Sequence, residues 1–407
     1  MHVAVIGAGI VGTLTAYYLA ESGMQVTLID QNNQPGQEAT AANASQLCYG
    51  ILSPTGSPDL LSQLPRILLG QHARIKICRY HDPKLWLWAF ELLFKNCTNK
   101  AFLKNQKTLL DLASQSQELM TEFQQQHNFN FDYKKNGRLN TYTDPKAFDT
   151  EIIRTQRIAK EFNTKLSILS SQDCLKIEPI LKQRQGKKII GGIYSGIDCT
   201  GDSEKFTKHL CHDILSHKEN VVLRFNSNIQ SLNISNNKIC NISTATGSLK
   251  ADHYILCNGT WAPKLLLPIG IKLPIYPIRG QNLTLNRPEH ITLQTNIIDM
   301  EHQIVMSPLG DRLRFAQGFE FDSYNKSLSQ KSLDRMLRDI HIIAPQLTIK
   351  DYSLHTGFRP YTPNSCPIVT SSEKYKNLSF NLGHGMLGWT LAHATAYRCV
   401  QNIASNI

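Results

Sequence analysis

No two of the ten cysteines in this chain are spaced C-x-x-C, and no Cys/His spacing matches a metal site. Zinc and iron–sulfur chemistry are therefore not expected, and no metal residue is nominated. Several cysteines lie in apolar runs, such as the one ending at Cys257, where Cys behaves as a small hydrophobe. Free thiols in a reducing compartment are the expectation. No run of about 20 apolar residues is present that could span a bilayer. The apolar opening lacks a basic flank and is cut by Gly7, Gly9 and Gly12, so a secretory signal is not expected. Internal repeats and low-complexity tracts are also missing. Lys+Arg number 43 against 32 Asp+Glu, a net charge of +11. Such a charge can attract nucleic acid, anionic lipid or anionic substrates. No nucleic-acid module or Arg-rich tail accompanies it, so no nucleic-acid partner is expected. The basic residues are spread along the chain, which reads as a solvated basic surface.

The 407 residues exceed the usual ceiling for one compact core, so two substructures are expected. At 41% hydrophobic and 18% charged, the balance is that of a globular chain.

The first 30 residues carry the clearest pattern. Residues 2–6 (HVAVI) form an apolar, β-branched run suited to a buried parallel strand. Gly7-Ala-Gly9-Ile10-Val11-Gly12 follows, then a helix over residues 13–22, a stop at Gly23, and a second buried strand over residues 25–29. Asp30 stands at its tip. A G-x-G-x-x-G string is weak by itself. Here a strand precedes it, a helix follows, and an acid lies 18 residues past Gly12. Gly7 permits the tight turn, Gly9 lets the backbone approach a pyrophosphate, and Gly12 lets helix and strand pack. The helix N-terminus suits the phosphates, and Asp30 suits ribose hydroxyls. The acid argues against a 2′-phosphate but leaves NAD and FAD both open.

Further along, residues 31–65 read as a loop with short turns, and residues 83–127 and 151–163 as helical. Residues 205–217 read as helix. Residues 221–225, 228–232, 238–242 and 252–257 read as strands, with a turn at 246–247. Residues 274–285 and 303–321 read as strands of a second sheet, and residues 333–343 as a helix. Residues 378–402 run strand, Gly-rich turn, helix.

Seven stretches together resemble the D-amino-acid oxidase superfamily of FAD enzymes, and within it the bacterial D-amino-acid dehydrogenases. They are residues 3–30, 38–46 (EATAANASQ), 96–98, 198–206 (DCTGDSEKF), 276–281 (YPIRGQ), 356–363 (TGFRPYTP) and 381–390 (NLGHGMLGWT). The resemblance implies FAD and an α/β fold: a Rossmann-like FAD-binding domain with an interleaved α+β substrate-binding domain on a mostly antiparallel sheet. The FAD-binding domain is expected over residues 1–85, 196–268 and 346–407, and the substrate domain over 86–195 and 269–345. The cofactor contacts implied are Gly7, Gly9, Ile10, Val11, Gly12, Asp30, Gln31, Thr40, Ala42, Asn43, Ala44, Ser45 and Gln46. Ile229, Cys257, Asn258, Gly259 and Trp261 follow. Gly383, His384, Gly385, Met386, Leu387, Gly388, Trp389 and Thr390 complete the set at the ring.

The resemblance also implies the chemistry. Arg359 grips the substrate carboxylate with two parallel charge-assisted bonds. Hydride passes from the substrate Cα to flavin N5, and the imino acid hydrolyses to a 2-oxo acid and ammonia. Positioning supplies much of the rate, so no general base is nominated. His302 stands where the dehydrogenases tend to carry Tyr, and Arg279 where they often have Lys; both are expected at the catalytic pocket. Asn364-Ser-Cys366 replaces their Asp-Gly-Thr, and Gln317 interrupts a small-residue stretch. These departures bear on substrate preference. The acceptor implied is a membrane quinone or an electron-transfer partner. Residues 60–104 mix Leu, Ile, Trp and Phe with Arg66, Arg74, Lys84, Lys95 and Lys100. They could rest peripherally on an anionic membrane, at the inner face of a bacterial plasma membrane, or form a core helix with a solvated basic face. The chain is otherwise expected to be cytoplasmic. The rival readings are an oxygen-using glycine, sarcosine or proline oxidase, and a flavin-binding protein without turnover.

Overall fold

The computed structural model describes all residues except 73, 74, 163, 246, 406 and 407. Two sheets organise the chain. The first has six strands in the order Ile368–Ser371, Leu378–Leu382, His253–Leu256, His2–Ile6, Gln25–Ile29, Val221–Arg224. All its pairings are parallel except that of the first two strands. The His2–Ile6 strand sits inside the sheet and is buried from residue 3 on, as its apolar run requires. The helix Ile10–Glu21 follows directly. Gly9 caps it in extended geometry, and Gly23, at φ +80°, turns the chain out. This helix is buried nearly all round, because Gly388–Ala404 and Asn99–Gln126 pack over it and over each other. The opposite face of the sheet is covered by the three-stranded antiparallel ribbon Ile229–Ser235, Lys238–Thr244, Gly247–Leu249.

The second sheet runs in the order Ser353–Tyr361, Tyr276–Asn286, Arg312–Phe321, Ile304–Leu309, Asn296–Asp299, Arg138–Tyr142, Gly191–Ser195, Leu166–Ser170. It is antiparallel except at Asn296–Asp299 with Arg138–Tyr142 and where Ile75–Ile77 joins Arg312–Phe321. Side-chain alternation divides its residues between two environments. Leu139, Ile297, Ile304, Met306 and Phe315 pack with the helix Gln330–Ile343 into one core. Asn140, Ile298, Val305 and Ala316, paired in register across four strands, line a cavity on the other side. This is the α/β architecture with parallel and antiparallel sheets that the sequence implied.

Several expectations shift. Residues 31–65 are not loop throughout, since the helix Pro58–Leu68 starts there on Pro58. Residues 303–321 form two strands that turn at Gly310. Strands at Arg138–Tyr142, Leu166–Ser170, Gly191–Ser195 and Ser353–Tyr361 were not anticipated. Gly191-Gly192 disguised one of them. The glycines are there because a Cβ would lie 2.4 Å from the Phe148 ring at Gly191 and 2.7 Å from the Cys174 sulfur at Gly192. The expected domain limits differ as well. Ile75–Ile77 and Ser353–Tyr361 belong to the second sheet, while Asn99–Gln126 packs on the first unit. The helix expected to reach 163 is described as Pro145–Phe162; residue 163, the turn residue Thr246 and Arg74 lie outside the described residues.

Candidate active site

A cavity of about 920 Å³ runs between the two sheets. That is the upper end of the roughly 300–1,000 Å³ usual for ligand pockets. One end is built by the opening strand-turn-helix. Gly7 takes φ +105°, and a Cβ there would lie 2.8 Å from the Asn258 backbone. Gly9, Ile10 and Val11 line the cavity where the first helix presents its N-terminal turn. Gly12 does not line it. A Cβ on Gly12 would lie 1.8 Å from the Gly7 carbonyl oxygen, so its hydrogen is what lets helix and strand touch. Thr40 accepts the Ile10 N–H at 3.1 Å and fixes the helix start to the following loop.

Asp30 and Gln31 also line this end. Asp30 accepts the Ala8 N–H at 2.6 Å and both the backbone and side-chain N–H groups of Asn32 at 2.8 and 2.9 Å. Burial pushes its carboxyl above the ordinary value while these bonds pull it back. The acid thus holds the glycine turn as well as facing the cavity. Ile229, Cys257, Asn258, Gly259 and Trp261 complete the wall with Ser227, Asn228, Gln230 and Lys264, which the sequence reading did not single out. Lys264 stands 3.6 Å over the Tyr324 ring and 4.8 Å over Trp261.

In the middle, Thr40, Ala42, Asn43, Ala44 and Gln46 face the cavity, but Ser45 does not. Ser45 is fully buried at φ +58°, and its hydroxyl accepts from Arg314 at 2.9 Å. Its contribution is to turn the backbone that Ala44 and Gln46 present. Opposite runs the C-terminal turn. Gly383 lies behind the wall at φ +79°, where a Cβ would lie 2.6 Å from Thr362. His384, Gly385, Met386, Leu387, Gly388, Trp389 and Thr390 line the cavity, and the helix Gly388–Ala404 starts there. His384 is buried, its Nε2 3.0 Å from the Thr395 hydroxyl, and burial drives its pKa down to about 3. It is a neutral structural ring.

At the sheet end, Arg359 is half-buried and lines the cavity with Gly318. Its Nη1 donates to the Gly318 carbonyl at 2.6 Å. The guanidinium lies over Gly280, where a Cβ would lie 2.4 Å from it. Arg279 and His302 are not brought there. Arg279 is 2% exposed, pairs with Glu320 and Asp322, and donates to the carbonyls of Asn325 and Ser327. Strand alternation sends it to the face opposite Arg359's neighbour Gly280. His302 turns back from the wall, its Nδ1 3.0 Å from Asp299 on the far side of the sheet. Met300, Glu301 and Gln303 take the wall positions beside it.

The buried pair Arg138–Asp198, 3.0 Å apart, shapes the remaining wall. Asp198 accepts the N–H groups of Tyr49 and Gly50 at 2.8 and 2.7 Å, and Arg138 donates to the Ile51 carbonyl at 2.8 Å. Together they clamp residues 49–51 at the cavity edge. Reasoning from the sequence missed Arg138, Asn140 and Tyr142. Their signal was a period of two in RLNTY. Among the described residues, no cluster of His, Cys, Asp and Glu suits a metal ion, and no helix is long and apolar enough to cross a membrane.

The wall suits a dinucleotide flavin. The side-chain polar atoms Gln46 Nε2, Asn258 Oδ1, Asn381 Oδ1 and Gln317 Oε1 are buried on it without a hydrogen-bond partner among the described residues. Buried polar atoms of that kind call for a ligand or water. The glycine turn and the two helix N-termini add a cradle for phosphate and for a ring edge that gains negative charge.

Such a fold and cavity define a flavin-dependent oxidoreductase. The family model described as FAD dependent oxidoreductase (DAO) matches residues 2–401, and the chain belongs to that family. Among its relatives, proteins named D-amino acid dehydrogenase are similar nearly end to end. That of Vibrio vulnificus (strain YJ016) is 30% identical over 407 residues, covering 99% of this chain and 96% of the relative. That of Vibrio cholerae serotype O1 (strain M66-2) is 31% identical over 400 residues, covering 97% and 93%. Glycine oxidase from Bacillus cereus ATCC 14579 shares the fold with a TM-score of 0.76 at 19% identity, covering 100% of this chain and 95% of that one. L-proline dehydrogenase from P. horikoshii does so at 0.73 and 18%, covering 99% and 93%.

Proposed function

We propose that this chain oxidises D-amino acids to 2-oxo acids and ammonia and passes the electrons to a quinone. The observation that carries this reading is the half-buried Arg359 in the same cavity as the glycine turn. The relatives named D-amino acid dehydrogenase support it. In the balanced reaction the substrate loses two electrons and two protons, and the imino acid takes up water and releases ammonia. Bound FAD supplies the two-electron acceptor; Gly7, Gly9, Asp30, Ala42 and the turn at Gly385 to Thr390 would hold it. Arg359 binds the carboxylate. Its bond to Gly318 fixes the guanidinium plane, and so the rotation of the bound acid. The amine reacts neutral, and the chain's part is orientation rather than proton transfer. The Arg138–Asp198 clamp holds the residue 49–51 segment, from which Ile51 lines the cavity.

For the acceptor, Leu69, Leu87, Phe90 and Phe94 are 71, 72, 55 and 69% exposed, near Lys84, Lys95 and Lys100. Exposed large apolar groups among lysines suit an anionic bilayer surface. In this proposal the protein works peripherally at the cytoplasmic face of a bacterial plasma membrane. The test is anaerobic bleaching of the flavin by a panel of D- and L-amino acids, followed by reoxidation with a soluble quinone or with oxygen. Bleaching by D-isomers and fast quinone reoxidation are expected. A flavin that stays oxidised with every amino acid overturns the proposal, and fast peroxide release from oxygen overturns its quinone half.

A further inference from the structure

The sheet end of the cavity holds polar groups that the carboxylate grip does not use. On the Arg138–Tyr142 strand, Asn140 and Tyr142 point the same way, 6% and 3% exposed, and both line the cavity. The Asn140 side-chain carbonyl has no hydrogen-bond partner among the described residues, while the Asn140 amide N–H reaches the Tyr142 oxygen. The Tyr142 ring rests against Phe148, centroids 5.3 Å apart, and packs with Ile51 and Ile193, which fixes where its hydroxyl sits. Glu151 lines the same corner, its side chain 14% exposed and 3.6 Å from Arg154. Arg154 is shared with Asp59. Arg138, itself paired with Asp198, and Arg157 also act on Glu151, so the corner is polar without an excess of negative charge. Asn140 and Tyr142 can donate as well as accept, and the acceptors left for a ligand are the Asn140 carbonyl oxygen and the Glu151 carboxylate.

The corner is also set back from the carboxylate grip. Arg359 is anchored on Gly318, in the Arg312–Phe321 strand, three strands from Arg138–Tyr142. Three strand spacings are about 14 Å, of which the Arg and Tyr side chains fill part. A short side chain would not cross what remains.

We infer that Asn140, Tyr142 and Glu151 form the side-chain subsite, and that the preferred substrate carries a long side chain ending in a hydrogen-bond donor, an ammonium, guanidinium or carboxamide. This rests on the D-amino-acid reading above. A substrate that pairs with these acceptors leaves no buried polar atom unmatched, whereas an apolar one strands them. The holoenzyme's anaerobic flavin reduction would be followed with D-lysine, D-glutamine, D-norleucine and D-alanine. D-Lysine and D-glutamine should exceed D-norleucine in kcat/KM by about tenfold or more, the worth of one such pairing. Tyr142→Phe should narrow that advantage by lowering D-lysine and D-glutamine and, with one stranded hydroxyl fewer, raising D-norleucine, while the flavin-to-protein ratio reports a folded, flavin-loaded protein. Glu151→Gln should weaken D-lysine selectively and spare D-glutamine. Equal or better turnover of D-norleucine by the wild-type protein overturns the subsite while leaving the D-amino-acid reading intact. Loss of all four substrates to the same extent in both variants overturns it too. Bleaching by none of the four in the wild type overturns both.

Discussion

Replacing Gly12 by alanine tests the nucleotide end with one methyl group. A Cβ at Gly12 would sit 1.8 Å from the Gly7 carbonyl oxygen and 3.1 Å from the Cys257 Cβ. Real contacts of this kind do not fall below 3.0 Å, so the first helix must retreat from the first strand by more than an ångström. Both neighbours are main-chain or buried, and neither can swing aside. Overpacking of a tight core costs about 1–3 kcal/mol. The same retreat draws the first turn of the helix away from the phosphates. Each charge-assisted bond lost there is worth about 1.5–3 kcal/mol, so flavin should bind at least about tenfold more weakly. The assay is the flavin-to-protein ratio by visible absorbance after desalting, with a thermal melt in excess FAD and without it. Gly23→Ala is the control. Gly23 has φ +80° with nothing within 4 Å of its Cβ position, so it carries only backbone strain, about 1–2 kcal/mol. Its flavin content should remain full. A Gly12→Ala protein with full flavin content and an unchanged melt would refute the reasoning, as would a Gly23→Ala protein that loses flavin equally.

Three other outcomes follow from the structure. Arg359→Lys keeps the charge but loses the planar fork, and should lower kcat/KM by about 2–4 kcal/mol, roughly 30- to 1,000-fold, with flavin content unchanged; unaltered kinetics would remove Arg359 from the carboxylate role. Asp198→Ala leaves Arg138 buried and unpaired, and should cost about 3–5 kcal/mol in urea unfolding; a loss under 1 kcal/mol would mean the clamp is not structural. Burial holds His253 near pH 4 and His384 and His393 near pH 3 in the folded chain, against about 6.5 unfolded. Above that value both states are neutral and no pH dependence arises from them. As pH falls below about 6.5 the unfolded chain takes up the protons and the folded chain does not, so each histidine should remove up to about 1.4 kcal/mol per pH unit down to about pH 4. Unfolding midpoints at pH 7.5, 6 and 5 measure this, and His253→Gln should flatten the slope; an identical slope in that variant would refute the assignment.

Local pattern and global arrangement divided the information unevenly. The sequence by itself determined the first βαβ unit, because its strands are buried beyond their first residues and so mostly apolar, and because Gly12 answers a contact with Gly7 only five residues away, although Gly7 itself is required by the Asn258 backbone, which only the fold brings close. It also carried the C-terminal strand, turn and helix, and Arg359 in its Gly-Phe-Arg-Pro setting. Tertiary structure decided which neighbours face the cavity. Arg279 and Arg359 lie on adjacent strands, yet Ile278, not Arg279, is the register partner of Arg359. One residue of register sends one guanidinium to the cavity and the other to Glu320. His302 was misplaced for a similar reason, since its acid partner Asp299 lies on the core side. Ser45 and Gly383 sit inside contact stretches but serve behind the wall. Asn140 and Tyr142 carried almost no local signal, because a strand polar on one side and buried at a cavity looks, in one dimension, like a surface strand. What makes them a site is the four-strand row from Asn140 to Ala316, joined from segments 176 residues apart, and pairings at that range are set only when the chain folds.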